Sequence, residues 1–216
     1  GDTLPVGHEL VKGIDLFDGH LTLSREDFSI PGRGGAALAL SFARTYSSSA
    51  GGEGGALGLG WSMNWGSKVL VTPCGEAIVV GGEGSGMRFV DDGAGGLRPL
   101  KGYHGSLVAN ADYSFDFFTK SGNRYHYLRT LGSEWELDTI TDPNGNATRL
   151  LYEASVEAGE RRVSAVVDAS GRTLRLHWEV RQFVFWRGEV IVGVEGPLGI
   201  ALTFSYDGFG NLTRAT

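Results

Sequence analysis

Apolar and polar positions alternate along most of the chain. Leu38, Leu40 and Phe42 interleave with Ala39, Ser41 and Ala43. Tyr113, Phe115 and Phe117 interleave with Ser114 and Asp116. Leu174, Leu176 and Trp178 interleave with Thr173, Arg175 and His177. Ile200, Leu202, Phe204 and Tyr206 interleave with Ala201, Thr203 and Ser205. A period of two predicts half-buried strands, apolar on one face and polar on the other. Segments with helical period are nearly absent. Roughly a dozen strands are predicted, most joined by short loops holding Gly, Asp or Asn, which is the signature of antiparallel hairpins. The least regular stretch, SSSAGGEGGALGLG from Ser47 to Gly60, predicts a mobile loop ahead of Trp61 and Trp65. DDGAGG, Asp91 to Gly96, predicts a second flexible loop.

The pattern repeats. Aligned on Gly145, Gly171 and Gly199, the chain places Ile140, Val166 and Val194 five residues earlier, and Tyr152, Trp178 and Tyr206 seven residues later. Asp142 and Asp168 stand three residues before the glycine, with Gly196 off pattern. Arg149 and Arg175 stand four residues after it, with Thr203 off pattern. The spacings are 26 and 28 residues. This is one strand–turn–strand unit written repeatedly. In DPNG the Asp142 side chain caps the turn, Pro143 presets φ, and Gly145 takes the left-handed conformation that closes a type I hairpin loop. DASG at Asp168 to Gly171 does the same without Pro. A lone hairpin is marginal in water, whereas neighbours side by side bury a continuous face.

Composition narrows the function. Glycine contributes 35 of 216 residues, about twice the usual share, without the Gly-X-Y period of collagen. The net charge is −6 and no Lys/Arg cluster stands out, which argues against a nucleic-acid or anionic-membrane partner. A single cysteine, Cys74, allows no internal disulfide and no thiolate metal site. No apolar run reaches membrane-spanning length, and the N-terminus lacks the basic start and apolar core of a signal peptide.

These residues resemble the RHS/YD-repeat family, whose unit is aliphatic-x-Asp-x-x-Gly, then Arg, then Tyr-Asp-x-x-Gly. Ile140, Asp142, Gly145, Arg149 and Tyr152 fit it. Val166, Asp168, Gly171, Arg175 and Trp178 fit with Trp in place of Tyr. YDGFGNLTRAT supplies Tyr206, Asp207, Gly210, Leu212 and Arg214. Glu153 and Glu179 stand where the family has Asp, and the following Gly is missing there. The N-terminal third is similar to the domain that opens many bacterial RHS proteins, through Gly19, Leu21, Asp27, Phe28, Pro31, Gly32, Arg44, Tyr46, Ser48, Gly58, Gly60, Trp61 and Ser62. The resemblance covers residues 14–66 and 135–216.

The resemblance implies a strip of β-sheet that winds into a hollow shell around a C-terminal toxic domain of the same polypeptide, exported by a type VI apparatus or another route. Insecticidal toxin-complex subunits and the animal teneurins are relatives. On this basis the chain divides into an opening segment (1–66), a hairpin middle part (67–134) and YD-type repeats (135–216). The chain stops within a repeat, at Leu212 to Thr216, and an unfinished strand edge predicts further chain or a covering partner.

Candidate chemistry is thin. His8, His20, His104, His126 and His177 show no metal-ligand spacing. GWSMN sets Ser62 after Gly60, but Asn64 replaces the second glycine of a nucleophile elbow and no helix follows. There is no phosphate-cradling glycine motif. Asp116, Glu134, Glu136 and Asp138 are acids of the kind glycosidases pair, yet nothing selects a pair. Arg44, Arg149 and Arg175 are expected to stack on, or ion-pair beside, aromatics of a neighbouring hairpin and fix register. NAT at Asn146 and NLT at Asn211 match the glycosylation acceptor, and are read as turn residues.

The sequence therefore predicts an all-β chain, a curved antiparallel sheet of repeated hairpins. Its predicted role is non-enzymatic: a shell segment of a secreted or surface RHS-type toxin of a bacterium, enclosing cargo, without cofactor or metal. The predicted partners are the rest of the shell, the toxin, and a component of the secretion apparatus. A carbohydrate- or cell-surface-binding adhesion module is the alternative, and a glycosidase the remote one. The predicted structural positions are Asp142, Gly145, Arg149, Tyr152, Asp168, Gly171, Arg175, Trp178, Gly199, Tyr206 and Gly210 in the repeats, and Asp27, Phe28, Arg44, Tyr46, Gly60 and Trp61 in the opening segment.

Overall fold

The computed structural model describes residues 10–11, 14–15, 21–50, 54–100, 102–130, 132–156 and 160–216. His8, Gly19 and His20 lie outside them. The architecture is all-β, and every strand pair is antiparallel. The short helical turns are single 3-10 turns, as at Ala36–Leu38.

Two layers enclose the core. The smaller is a three-stranded sheet of Thr22–Ile30, Leu40–Ser47 and Trp61–Met63, with Leu40–Ser47 in the middle. The larger is an open sheet of 14 strands among the described residues. From one edge it runs through Leu97–Pro99, Gly86–Asp91, Ala77–Val80 and Lys68–Val71 to Glu134–Thr141. It continues through Ala147–Ala154, Arg161–Val167, Thr173–Gln182, Arg187–Glu195 and Ala201–Tyr206 to Leu212–Ala215. The sheet forks at Glu134–Thr141. One edge of that strand pairs with Lys68–Val71 over its first half and with Ala147–Ala154 over its second. Its other edge pairs with Arg124–Arg129, which carries Phe115–Phe118 and Ser106–Ala109 beyond it.

The core lies between the layers. Leu38, Leu40, Phe42 and Leu57 are fully buried against Val166, Leu174, Val194 and Phe204 of one continuous apolar cluster. Phe42 and Phe204 meet across it with ring centroids 5.7 Å apart. The expected strand over Tyr113–Phe117 starts two residues later, at Phe115. Tyr113 takes the left-handed position of a turn, at φ 65°, and is 73% exposed. The stretch expected to be a loose loop contains an ordered piece: Gly54–Gly55 pairs with Gly58–Leu59, and Leu57 between them is fully buried. Residues 51–53 lie outside the described set. Asp91–Gly96 is a tight hairpin turn, with Asp91 and Asp92 carboxylates accepting from the amides of Gly93, Ala94 and Gly96.

One turn design recurs throughout the large sheet. The first residue's amide donates to the carbonyl four residues on, and a left-handed residue closes the loop. Thr72–Glu76, Gly81–Ser85, Asn110–Ser114, Thr119–Asn123, Asp142–Asn146, Asp168–Arg172, Gly196–Ile200 and Asp207–Asn211 all show this bond. Gly145, Gly171, Gly199 and Gly210 supply the left-handed residue in the last four, at φ 84°, 80°, 77° and 93°. A side chain there costs strain that glycine avoids.

Candidate functional site

The repeated unit is where the sequence concentrates its specific residues, and it is built from its turns upward. At the first turn, the Asp142 carboxylate accepts from the amides of Asn144 (2.9 Å) and Asn146 (2.8 Å) and from the Asn146 side chain (2.8 Å). Asp168 accepts from the amides of Ser170 and Arg172, both at 2.9 Å, and from Arg172 Nε at 2.7 Å. Asp207 repeats the pattern at the opposite end of the sheet, accepting from Phe209 N, Asn211 N and Asn211 Nδ2, each at 2.9 Å. Donors aimed at a carboxylate favour its charged form. The Asn146 side chain first, then the turn amides, hold Asp142 below the usual carboxylate range. Asn211 leads the same effect at Asp207. At Asp168 burial works the other way, and Arg172 overcomes it. The turn at Gly196 has no such carboxylate and closes by backbone bonds alone. Both sequon asparagines, Asn146 and Asn211, are committed to these caps.

Behind each turn the strands carry a bulge. Asp138, Ser164, Val192 and Thr213 are the extra residues, each lying where the pairing register slips by one. Facing these slips stand Tyr127, Tyr152, Trp178 and Tyr206, paired with Leu137, Val163, Ile191 and Leu212. A bulge interrupts the ladder and leaves a main-chain group in need of a partner. The strand that follows across the turn supplies it. Tyr152 Oη donates to the Leu137 carbonyl at 2.6 Å, Trp178 Nε1 to that of Val163 at 2.8 Å, and Tyr206 Oη to that of Ile191 at 2.5 Å. Each link spans 15 residues. Burial pushes the hydroxyls of Tyr152 and Tyr206 well above the ordinary phenol range, so both remain protonated donors. Trp178 performs the same role through its indole N–H, which explains why it substitutes for Tyr. Tyr127, one unit earlier, shares a bond with Ser67 Oγ at 2.9 Å.

The arginines divide differently from the expectation. Arg149 and Arg175 point to solvent and, among the described residues, make no ion pair or ring contact. Stacking falls instead to Arg161 over Tyr152 (4.5 Å), Arg162 over Trp178 (5.6 Å) and Arg181 over Tyr206 (5.9 Å). Arg161 also pairs with Glu136, and Arg162 with Glu153 and Glu189. The reason is the direction of the strands. Arg149 and Arg175 occupy the solvent side of their strands, between buried neighbours Thr148 and Leu150, and Leu174 and Leu176.

In the opening segment, the Arg44 guanidinium grips Asp27 with two bonds, Nε–Oδ2 at 2.6 Å and Nη2–Oδ1 at 2.9 Å. Both side chains are over nine-tenths buried. Asp27 is itself the extra residue of a bulge, since Glu26 pairs with Ala43 and Phe28 with Phe42. The Arg44 carbon CZ lies 5.3 Å from the Trp61 ring and 5.7 Å from that of Phe204, so the pair bridges the two sheets. Tyr46 packs tilted against Trp61 with ring centroids 5.4 Å apart, and Gly60, at φ 73°, lets the Tyr46 ring approach its backbone. Phe28 is half-buried against the core.

The opening segment is tied to the repeats at further points. Leu59 N donates to the Gly210 carbonyl (3.0 Å) and Ile191 N to that of Ala56 (2.8 Å). Arg172 Nη2 donates to the Pro31 carbonyl at 2.7 Å, and Thr148 Oγ1 to that of Leu38 at 3.2 Å.

The candidate acids are each engaged. Asp116 holds His126 Nδ1 at 2.7 Å, Glu134 faces Lys68 at 3.3 Å, Glu136 binds Arg161, and Asp138 accepts from Thr139 Oγ1 at 2.6 Å. His177 lies 3.3 Å from Glu195 on the surface. Ser62 Oγ donates to the Thr45 carbonyl at 3.3 Å. Among the described residues no three His, Cys, Asp or Glu side chains cluster as metal ligands, and no helix is long and apolar enough to cross a membrane. The bulges and the 15-residue links are what sequence reasoning missed. Their trace is the threefold spacing of Leu137 to Ile140, Val163 to Val166 and Ile191 to Val194, which strict alternation forbids.

A family model described as a domain of unknown function, DUF6531, matches residues 12–89. No curated protein matches the chain. The N-terminal domain of effector protein SpvB from Salmonella typhimurium strain LT2 is similar in fold, with a TM-score of 0.59 at 15% identity over 89% of this chain and 98% of that one. TcdB2–TccC3 is similar with a TM-score of 0.66 at 14% identity, over 97% of this chain and 16% of that one. The Tc holotoxin pore of Photorhabdus luminescens gives 0.63 at 14% identity, over 99% and 16%. The chain thus spans nearly all of the SpvB domain and under a fifth of the Tc chains.

Proposed function

We propose that this chain is a wall segment of an RHS/YD-type toxin shell: a non-catalytic β-surface that helps enclose and protect a cargo domain of the same exported polypeptide. The observation that carries the reading is the repetition of one self-locked hairpin, whose second-strand aromatic bonds a carbonyl of its first strand, and which pairs edge to edge with the next hairpin. Such units repeat side by side through these pairings, so the sheet lengthens one hairpin at a time without closing into a compact barrel. The likeness in fold to an effector domain and to Tc toxin chains supports the same reading. The mechanism is steric: a continuous hydrogen-bonded wall keeps the cargo away from the producing cell, and the wall needs no reactive group of its own. The full-length protein is expected to appear in an electron-density map as a hollow particle, with its C-terminal domain resistant to added protease. A solid particle with a freely digested C-terminal domain overturns the proposal.

A further inference from the structure

Where the 3-10 turn Ala36–Leu38 of the small layer meets the fork of the large sheet, a cavity of about 280 Å³ opens to the surface. Its floor is apolar and aromatic, formed by Trp65, Tyr127, Phe117 and Leu137. Its mouth carries Tyr125, Met87 and Glu83. The polar side chains of the wall are already spent. Asn64 accepts from Ala43 N and donates to Ser41, Ser67 is shared between Val80 O and Tyr127, and Thr119 bonds within its own turn. Two groups are left for a ligand. The Tyr125 hydroxyl makes no hydrogen bond among the described residues, and Glu83 is the one charged residue lining the cavity. Glu83 accepts from Ser85 Oγ and has no basic partner among the described residues.

This combination selects a ligand class. An anion has no partner here, because no Lys or Arg lines the space. A sugar needs many directed hydrogen bonds, and the wall offers few. An apolar stem ending in a cation fits both features: the stem replaces water against the aromatic floor, and the charge meets Glu83 and the Tyr125 ring face. We propose that this cavity binds a primary alkylammonium group the size of a lysine side chain, with Glu83 as counter-ion and Tyr125 as ring partner. The closeness of the Glu83 charge to the cavity is visible in Tyr125, whose hydroxyl is pushed up first by burial and then by that carboxylate. The proposal is independent of the shell reading, since it concerns one cavity and not the growth of the sheet.

Methionine methyl signals test it directly. The chain has two methionines: Met87 lines the cavity and Met63, 5% exposed, lies outside it and serves as a control. Titration of the whole chain with n-butylammonium is expected to shift the Met87 methyl resonance saturably and leave Met63 in place. The neutral isostere n-butanol, and the Glu83→Gln variant, are expected to bind about tenfold more weakly, a difference near 1.4 kcal/mol. Glu83 sits on an exposed turn, so an unchanged melting temperature shows that the variant is folded. Tyr125→Phe keeps the ring and is expected to retain binding, whereas Tyr125→Leu loses it. N-acetyl-lysine methylamide and a short Ala-Lys-Ala peptide separate the sources. A response to both identifies a polypeptide lysine as ligand, and a response to butylammonium alone identifies a free amine. Equal binding of butanol and butylammonium, or no Met87 response to butylammonium up to its solubility limit, overturns the proposal.

Discussion

Tyr152, Trp178 and Tyr206 each place one polar hydrogen on a carbonyl that the sheet itself leaves open. Removing that hydrogen leaves a buried acceptor unpaired, which costs about 1–3 kcal/mol. Tyr152→Phe and Trp178→Phe are therefore expected to lower stability by that amount in urea titration, while Arg149→Ala and Arg175→Ala stay within about 0.5 kcal/mol. The buried Arg44–Asp27 pair behaves more severely. Arg44→Leu strands the Asp27 carboxylate and is expected to cost about 3–5 kcal/mol, and adding Asp27→Leu should return much of the loss, a coupling that a double-mutant cycle reads directly. The turn carboxylates set the response to acid. Asp142, Asp168 and Asp207 have lowered values in the folded chain. Their contribution is complete above the unfolded value near pH 4 and disappears as pH falls through the lower folded values. Urea midpoints measured across this range should drop on acidification, and Asp142→Asn should flatten the slope.

At the scale of the hairpin, turn and bulge have different tolerances. The turns are interchangeable modules, since DPNGN at Asp142–Asn146 and DASGR at Asp168–Arg172 make the same set of amide bonds. Replacing the first by the second is expected to leave the fold and the amide spectrum outside the turn unchanged. Deleting Ser164 is expected to do the opposite. It removes the slip between Leu151 and Tyr152, so one half of the strand turns its buried side chains to solvent, and loss of the cooperative unfolding transition reports it. The turns were legible in the sequence because Asp and Gly have local reasons to be where they are. The alternation was legible too, at Leu174 and Leu176 for example. The bulges were not, because a period of two contains no place for Asp138, and Leu137 with Ile140 reads as noise until the partner strand is known. The assignment of Arg149 and Arg175 as braces failed for a related reason: strand spacing gives the face of a residue only relative to its neighbours, and both lie between buried residues.

At the scale of the molecule, two sheets depend on one another through a few dense contacts that no local pattern announces. The Gly54–Leu59 ribbon inserts the fully buried Leu57 into the shared core, and Gly58 lies where any side chain meets the Gly210 carbonyl and the Tyr206 ring. Leu57→Ala is expected to cost about 2–5 kcal/mol and to lower the melting temperature of the molecule as a single transition in calorimetry. Two separated transitions there refute the dependence. The 15-residue links have one further consequence, because they all point the same way. Every bonded carbonyl belongs to the first strand of a hairpin and every donor to the second. Locking of each hairpin therefore has the same polarity as translation. As a nascent chain leaves the ribosome, each new aromatic seals its own hairpin onto the strand made just before it. Growth proceeds as a ratchet from the N-terminal side, each hairpin locking as soon as its second strand is complete and without waiting for the next.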